Sequence, residues 1–206
     1  MVERKDEDQN TEQKILEAAK AVFLERGLDG ARMQDIADKA GINKALLHYY
    51  FRSKDKLFEV IFFEAAARFL PQLEKLFGAD LPLFEKIERF VQTYIDLLKE
   101  NPHLALFVLN EVQKVDGKNF FERLWKGEKP AVHILARQID EAVKAGLIKP
   151  IKPVHLLLNI VSMCIFPFVA RPMVQMVWDI DGAQFTALME ERKTMIVQFI
   201  LDSIRK

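Results

Sequence analysis

The chain has 206 residues, half of them hydrophobic, so it is long enough to form one large or two small domains with a buried core. Its formal net charge is zero, which excludes a protein that binds polyanions through bulk positive charge. Only eight Gly and eight Pro, with no alternating β-branched runs, favour an all-α fold. The one cysteine, Cys164, excludes an intramolecular disulfide and is interpreted as a buried, small hydrophobic residue.

The chain begins with a charged segment, residues 1–10, that lacks the apolar region of a signal peptide. We interpret this segment as a flexible tail. The longest apolar stretch, residues 156–169, is too short to cross a bilayer. We therefore expect a soluble, cytoplasmic protein that does not bind membranes.

Helical periodicity and helix-ending residues define the elements of the first part of the chain. Gly27 ends the first helix, Gly41 supplies a tight turn, and Ser53 caps a long helix in which Pro71 predicts a bend. The predicted helices span residues 11–26, 31–40, 44–50 and 54–77.

The remainder continues at helical period without a low-complexity linker. Pro130 occupies a favoured first-turn position, Gly146 stops the same helix, and Pro167 and Pro172 interrupt a later one. The predicted helices span residues 83–98, 104–114, 119–126, 130–144, 153–178 and 182–204. We count nine or ten helices in the whole chain and find no internal repeat.

Residues 34–57, QDIADKAGINKALLHYYFRSKDKL, have the pattern of a DNA-binding helix-turn-helix. A short helix, a turn at Gly41 and a second short helix precede the start of the long helix. Six basic and three acidic side chains lie in residues 32–56, so this segment is locally positive in a neutral chain. The pattern predicts a compact nucleic-acid-reading surface.

Several short motifs in this segment resemble the N-terminal domain of the TetR/AcrR family of bacterial transcriptional regulators, over about residues 11–60. The motifs are Asp35-Ile36-Ala37, Ala40-Gly41-Ile42, Tyr49-Tyr50-Phe51, Ser53-Lys54 and Leu57. The resemblance implies a three-helix DNA-binding domain in residues 11–56 and a helical ligand-binding and dimerisation domain in residues 57–206. It also implies a homodimer that binds palindromic double-stranded DNA and represses transcription until a small, largely apolar ligand releases it.

Side-chain chemistry supports DNA contacts at the two short helices. Lys44 can donate to guanine or to a phosphate, Gln34 can contact adenine with two hydrogen bonds, and His48 can reach a phosphate. The expected DNA contacts are Arg32, Gln34, Lys44, Ala45, Leu46, His48, Tyr49 and Lys54. Arg32, Leu46 and His48 depart from the family's usual Thr, Thr and Tyr, so we expect them to set this chain's own specificity.

Sixteen Phe residues, most of them after position 57, favour an aromatic helical core. The resemblance implies that part of this core encloses a ligand, with polar groups supplied by residues that interrupt apolar faces. The expected ligand contacts are Phe62, Tyr94, Phe107, Asn110, His133, Arg137, Asn159, Met163 and Phe166. Asn159 and Ser162 are expected to be buried, and each polar residue fits a purely structural role as well as a ligand contact.

The apolar stretch 156–169 is hydrophobic nearly all round, which predicts burial on every side. One chain of this size satisfies that requirement poorly, so we expect this helix and the last helix to form a four-helix interface with a second copy. The expected dimer contacts are Leu156, Asn159, Ile160, Phe185, Leu188, Arg192, Ile196 and Phe199.

Three alternative functions differ in what they explain. A constitutive DNA-binding dimer controlled by a protein partner fits the same motifs. An enzyme is disfavoured because the four His are scattered and neither a phosphate loop nor a nucleophile elbow is present. A helical lipid carrier explains the Phe content but not residues 34–57. We expect no metal and no cofactor.

Overall fold

The computed structural model describes residues 2–113, 117–125 and 131–206, with side chains described from residue 10 onward except at 117, 118, 121 and 125. The described residues form eleven α-helices and no strand, which confirms the predicted all-α fold. An isolated bridge pairs Ile148 with Arg205. The chain divides into two compact units, Met1–Ala67 and Arg68–Lys206.

The first unit contains three helices and slightly more than half of a fourth. They are α1 (Val2–Gly30), α2 (Met33–Ala40), α3 (Lys44–Tyr50) and the start of α4 (Lys54–Gly78). Helix α1 begins at Val2 rather than near residue 11, so the backbone of the predicted tail is helical. Gly27 interrupts α1 with φ 71° and ψ 172°, at the position where the sequence predicts the end of the helix.

The core of the first unit is built from one apolar face of each helix. Ile15 of α1, Ile36 of α2 and Leu47 of α3 are fully buried. The rings of Phe23 and Phe58 meet edge to face with centroids 5.1 Å apart. Burial of each large side chain contributes on the order of 1.5–3 kcal/mol, so these contacts hold the short helices α2 and α3, which would be unstable alone.

The second unit contains the end of α4 and seven further helices. They are α5 (Leu83–Glu100), α6 (Leu104–Gln113), α7 (Gly117–Trp125), α8 (Val132–Lys144), α9 (Pro153–Val169), α10 (Arg171–Trp178) and α11 (Gly182–Ile204). The ends predicted at residue 114, residue 126 and Pro130 lie outside the described residues. Within the described residues, no single helix is long and apolar enough to span a membrane, and only the bent pair α9 and α10 meets those criteria when its two helices are combined.

The predicted helix over residues 153–178 is two helices bent by 71°. Pro167 is accommodated inside α9, whereas Pro172 follows the break at Ala170 and occupies the first turn of α10. Proline lacks the backbone N–H that would continue the hydrogen-bond ladder, and its ring clashes with the preceding turn. Pro172 therefore starts a new helix instead of kinking the old one.

Helix α9 is buried on one face only, so the prediction of burial on every side is wrong. Leu156, Ile160 and Cys164 are buried, whereas Leu158 and Phe166 are 56% and 57% exposed. Asn159 and Ser162, which were expected to be buried, are exposed on that second face. The apolar residues of α9 therefore lie on two faces of the helix, and the core of the chain covers only one of these faces.

An aromatic stack joins α4 and α5 inside the second unit. Tyr94 lies between Phe69 and Phe90, with ring centroids 5.5 and 5.4 Å away and nearly parallel planes, and Phe90 continues to Phe77 at 5.7 Å. Burial raises the pKa of the Tyr94 hydroxyl, so this group stays neutral. Burial likewise raises the pKa of Cys164 to about 12, which confirms that this residue is a buried, small hydrophobic side chain.

Lys86 of α5 is the one buried charged side chain in the described part of the chain. Its ammonium group donates to the backbone oxygen of Phe77 over 2.8 Å. The last carbonyls of a helix have no partner within it, and they attract positive charge. Lys86 therefore caps the carboxyl end of α4.

Candidate nucleic-acid interface

Helices α2 and α3 are joined by a turn that only one residue type adopts easily. Gly41 has φ 69° and ψ 30°, in the left-handed region, and its N–H donates to the oxygens of Ala37 and Asp38. The turn ends α2 and reverses the chain. Asn43 then starts α3, because its side chain accepts a 2.8 Å hydrogen bond from the N–H of Leu46.

Helix α3 is short and presents most of its surface to solvent. Leu47 faces the core and is fully buried, and Phe51, just after the helix, is buried as well. The five exposed residues of α3 are Lys44, Ala45, Leu46, His48 and Tyr49. Tyr49 is 80% exposed although it is a large aromatic residue, with its ring edge to face against Tyr50. A short, exposed helix with a small residue near its start fits the major groove of DNA.

The residues predicted from α2 lie beside this surface. Arg32 occupies the position before the first turn of α2 and is exposed, without a hydrogen bond from its side chain to the helix. Gln34 is exposed, and its amide nitrogen donates to Asp38 over 2.7 Å. The structure therefore exposes seven of the eight predicted DNA contacts, all except the half-buried Lys54.

Ion pairs determine which positive charges remain available for phosphates. Arg26 contacts Asp35, and Lys39 contacts Glu25, each with an N–O distance of 2.5 Å, so both cations tie α1 to α2. The hydrogen bond from Lys39 lowers the pKa of Glu25. The exposed cations without an acidic partner among the described residues of this unit include Arg32, Lys44 and Arg52.

Arg52 is an exposed cation beside this surface that was not among the predicted DNA contacts. This residue lies between α3 and α4, and its side chain is exposed. Its signal in the sequence is modest, a basic residue directly before the Ser53 cap. That position places a positive charge beside the amino end of α4, where backbone N–H groups also attract anions.

Lys54 has a different environment from the one predicted. Its ammonium group donates to the backbone oxygens of Leu28, Asp29 and Ala31 over 2.8, 3.0 and 3.5 Å. These carbonyls belong to the end of α1 and the connection to α2. Lys54 therefore fastens the start of α4 to this connection, and its three donors already have acceptors.

Comparison with known proteins identifies the family. Residues 15–61 match a model described as bacterial regulatory proteins, tetR family, and residues 84–200 match one described as tetracyclin repressor-like, C-terminal domain. The HTH-type transcriptional repressor NicS of Pseudomonas putida is 30% identical over 170 residues, which cover 79% of this chain and 78% of NicS. The chain belongs to the TetR family.

A further relative agrees with this assignment, and a solved structure shows the same fold. The HTH-type transcriptional regulator RutR of Escherichia coli is 27% identical over 146 residues, 71% of this chain and 68% of RutR. The crystal structure of FadR from Bacillus subtilis, solved in complex with stearoyl-CoA, has the same fold, with a TM-score of 0.59 and 20% identity over 90% of this chain and 97% of FadR. The TetR-family chain is thus a helix-turn-helix transcriptional regulator and not an enzyme.

The structure distributes the predicted ligand contacts of this TetR-family chain over several places. Phe62 is buried in the first unit, and Phe107 is buried in the second. Tyr94 lies in the aromatic stack, and Met163 is partly buried on the adjoining core. Five predicted contacts are exposed instead: Asn110, His133, Arg137, Asn159 and Phe166. The eight predicted contacts in the second unit do not form one buried cluster, because the exposed polar ones fall on outer helix faces.

The predicted dimer contacts also separate into two groups. Leu156, Ile160, Phe185 and Ile196 are buried in the chain's own core, so they are not available to a partner and their assignment is corrected. Leu188 and Arg192 are partly buried, and the Arg192 guanidinium donates to the backbone oxygen of Met163 over 2.9 Å. Asn159 and Phe199 remain exposed. Helix α11 packs on the core through its buried residues, whereas its Met195 and Phe199 are exposed.

We expect Lys54→Met to lower stability and to leave the salt dependence of DNA binding unchanged. The substitution keeps the aliphatic stem and removes the ammonium group from three carbonyl acceptors, which costs about 1–3 kcal/mol. Thermal unfolding and fluorescence anisotropy with a duplex from the chain's own promoter region measure the two effects.

Lys44→Met is the matched control for this prediction, because Lys44 is exposed and has no acidic partner in the described residues. It should leave stability within about 0.5 kcal/mol of the unsubstituted chain. If Lys44 binds a phosphate, its removal makes the slope of log K against log salt shallower by about 0.9 for each phosphate that is no longer neutralised. A stable Lys54→Met variant with a shallower slope would instead show that Lys54 binds phosphate.

Proposed function

We propose that the chain is a homodimeric, sequence-specific repressor that acts in the cytoplasm and leaves its palindromic operator when a largely apolar ligand binds the second unit. The observation that carries the DNA-binding part is the outward face of α3. Leu47 anchors this helix, while Lys44, His48 and Tyr49 are exposed together. These side chains combine a point charge, an imidazole and a phenol, which suit phosphates and base edges.

Lys44→Ala and Tyr49→Ala should each weaken binding to the operator by about 1–3 kcal/mol if the residue contacts a base. The measurement is fluorescence anisotropy with duplexes from the chain's own promoter region, at several salt concentrations. Lys75→Ala is the matched control, since Lys75 is an exposed lysine of the second unit. Unchanged affinity in both α3 variants would contradict the assignment of α3 as the reading helix.

The homodimer is supported by an apolar surface that the chain does not cover. Leu158 and Phe166 of α9 are 56% and 57% exposed, and Met195 and Phe199 of α11 are 59% and 61% exposed. Large, contiguous apolar surfaces are typical of protein interfaces. Two copies of the α9 and α11 faces would form a four-helix interface, and its two-fold symmetry would match a palindrome with half-sites about 34–36 Å apart.

A charge placed in this surface should separate the two copies. Phe199→Glu would bury a carboxylate without a partner, so the variant should sediment as a monomer at concentrations at which the unsubstituted chain is a dimer. Leu147→Glu is the control, because Leu147 is 67% exposed in the connection between α8 and α9. Sedimentation velocity measures the outcome, and a dimeric Phe199→Glu variant would argue for a different interface.

The proposed ligand is largely apolar because the second unit offers mainly aromatic and aliphatic contacts. The rings of Phe69, Tyr94 and Phe90 stack into an apolar wall within the second unit, and the Tyr94 hydroxyl is the one polar group of these three side chains. An apolar surface with few polar groups is the usual composition of small-molecule sites. In FadR, a relative by fold, the bound molecule is stearoyl-CoA.

Helix α4 is the element that could carry a ligand signal. It begins in the first unit and ends in the second, where it supplies Phe69 and Phe77 to the aromatic stack. A ligand that contacts this wall would act on DNA binding only if it favours one position of α4 over another.

Stearoyl-CoA, the ligand of the relative FadR, is a suitable probe of this proposal. We expect it to release the operator duplex in an anisotropy titration, and Tyr94→Ala to raise the concentration required about tenfold, since the substitution removes an aromatic ring and a hydroxyl from the wall. Asn110→Ala, an exposed substitution on α6, should leave that concentration unchanged. If Asn110→Ala raised the required concentration and Tyr94→Ala did not, the ligand would instead bind at the surface of α6. If stearoyl-CoA released no DNA at all, a ligand of this class would be contradicted.

A further inference from the structure

Two polar residues on α2 are joined by a hydrogen bond on the helix surface. Gln34 and Asp38 lie one turn apart, and the Gln34 Nε2 donates to the Asp38 Oδ1 over 2.7 Å. Both side chains are exposed. Residues four apart on a helix are neighbours, so this contact needs no distortion of α2.

The contact fixes which way the Gln34 amide points. The amide carries an acceptor, Oε1, and a donor, Nε2, and it can rotate to exchange them. Exchange would place Oε1 against the Asp38 carboxylate, two acceptors facing each other. Asp38 therefore holds the nitrogen toward itself and leaves Oε1 directed away.

The same contact uses one of the two N–H groups of Gln34. One N–H and Oε1 remain as an adjacent donor and acceptor pair. Adenine presents the complementary pair in the major groove, a donor at N6 and an acceptor at N7. Guanine presents two acceptors, O6 and N7, and would need both N–H groups of an unrestrained Gln.

We propose that Asp38 is a specificity-determining, positioning residue, which makes Gln34 select adenine over guanine at one position of each operator half-site. The inference rests on the proposed DNA-binding function. In the proposed role, Asp38 contacts no base and acts only through Gln34.

A purely structural role of the pair has a different consequence. If the hydrogen bond served only to stabilise α2, its removal would change stability and leave base preference intact. The Asp38 charge has a third, separate effect, since a carboxylate near DNA weakens attraction to phosphates equally at all sequences. Base preference at a single position distinguishes the proposed role from both.

The experiment selects random-sequence duplexes with the full-length chain and then measures affinity for the selected site with each base at every position. In the unsubstituted chain we expect one position per half-site at which Gln34→Ala removes a preference for adenine. Asp38→Ala should lower the ratio of adenine to guanine affinity at that position by at least about fivefold. This factor is the lower end of the discrimination that a side chain achieves with two hydrogen bonds to one base. Asp38→Asn, which keeps an oxygen acceptor without the charge, should retain most of the ratio.

The control removes a charge from the same unit without touching Gln34. Asp55 is an exposed acid in the first turn of α4, and Asp55→Ala should change affinity uniformly and leave the ratio unchanged. An unchanged ratio in Asp38→Ala would overturn the proposal, as would a Gln34→Ala variant with unaltered base preferences. If the unsubstituted chain selects no palindromic sequence, the proposed DNA-binding function fails and this inference with it. If the chain selects a palindromic sequence and Asp38→Ala leaves the ratio of adenine to guanine affinity unchanged, only the inference about Asp38 is overturned.

Discussion

The reading surface depends on the backbone turn at Gly41. Its φ of 69° is costly for any residue with a Cβ, by roughly 1–2 kcal/mol. A Cβ at this position would meet no atom within 4 Å, so the constraint is the backbone conformation and not the space around it. The turn sets the angle between α2 and α3. That angle turns Leu47 into the core and leaves Lys44 and Tyr49 outside, so the chemistry of the surface follows from one dihedral angle.

The charge distribution explains why a neutral chain can still bind DNA and why one copy would bind it weakly. Pairing of Arg26 with Asp35 and of Lys39 with Glu25 uses two cations to hold α2 against α1. Within the part of the first unit whose side chains are described, the exposed cations without an acidic partner are few, and each phosphate contact contributes a limited, salt-dependent gain. In the proposed homodimer, a second copy would double the number of phosphate contacts without adding a basic region to either copy. The exposed apolar residues of α9 and α11 and the small exposed face of α3 would therefore serve the same proposed function.

The helices and the helix-turn-helix were predicted well from the sequence, because both depend on interactions between neighbouring residues. Periodicity, the turn at Gly41 and the Ser53 cap depend on neighbouring residues, and the structure confirms the helices that they define. The wrong predictions of burial concern side chains whose contacts lie in distant parts of the chain. A hydrophobic residue such as Ile196 has the same pattern whether it faces its own core or a partner, and only the packing shows that Ile196 is buried while Phe199 is exposed. Asn159 was misplaced for the same reason.

Lys54 shows how packing changes the role that a motif predicts. To bind a phosphate, its ammonium group would have to leave three backbone oxygens at the end of α1. Leaving such groups without a donor costs on the order of 1–3 kcal/mol, which exceeds the gain from a single exposed charge contact in salt. Lys86 acts in the same way at the other end of α4, where it caps the carbonyl of Phe77. Helix α4 is thus held at both of its ends by a lysine that donates to backbone oxygens, so any displacement of α4 must either carry these contacts along or break them.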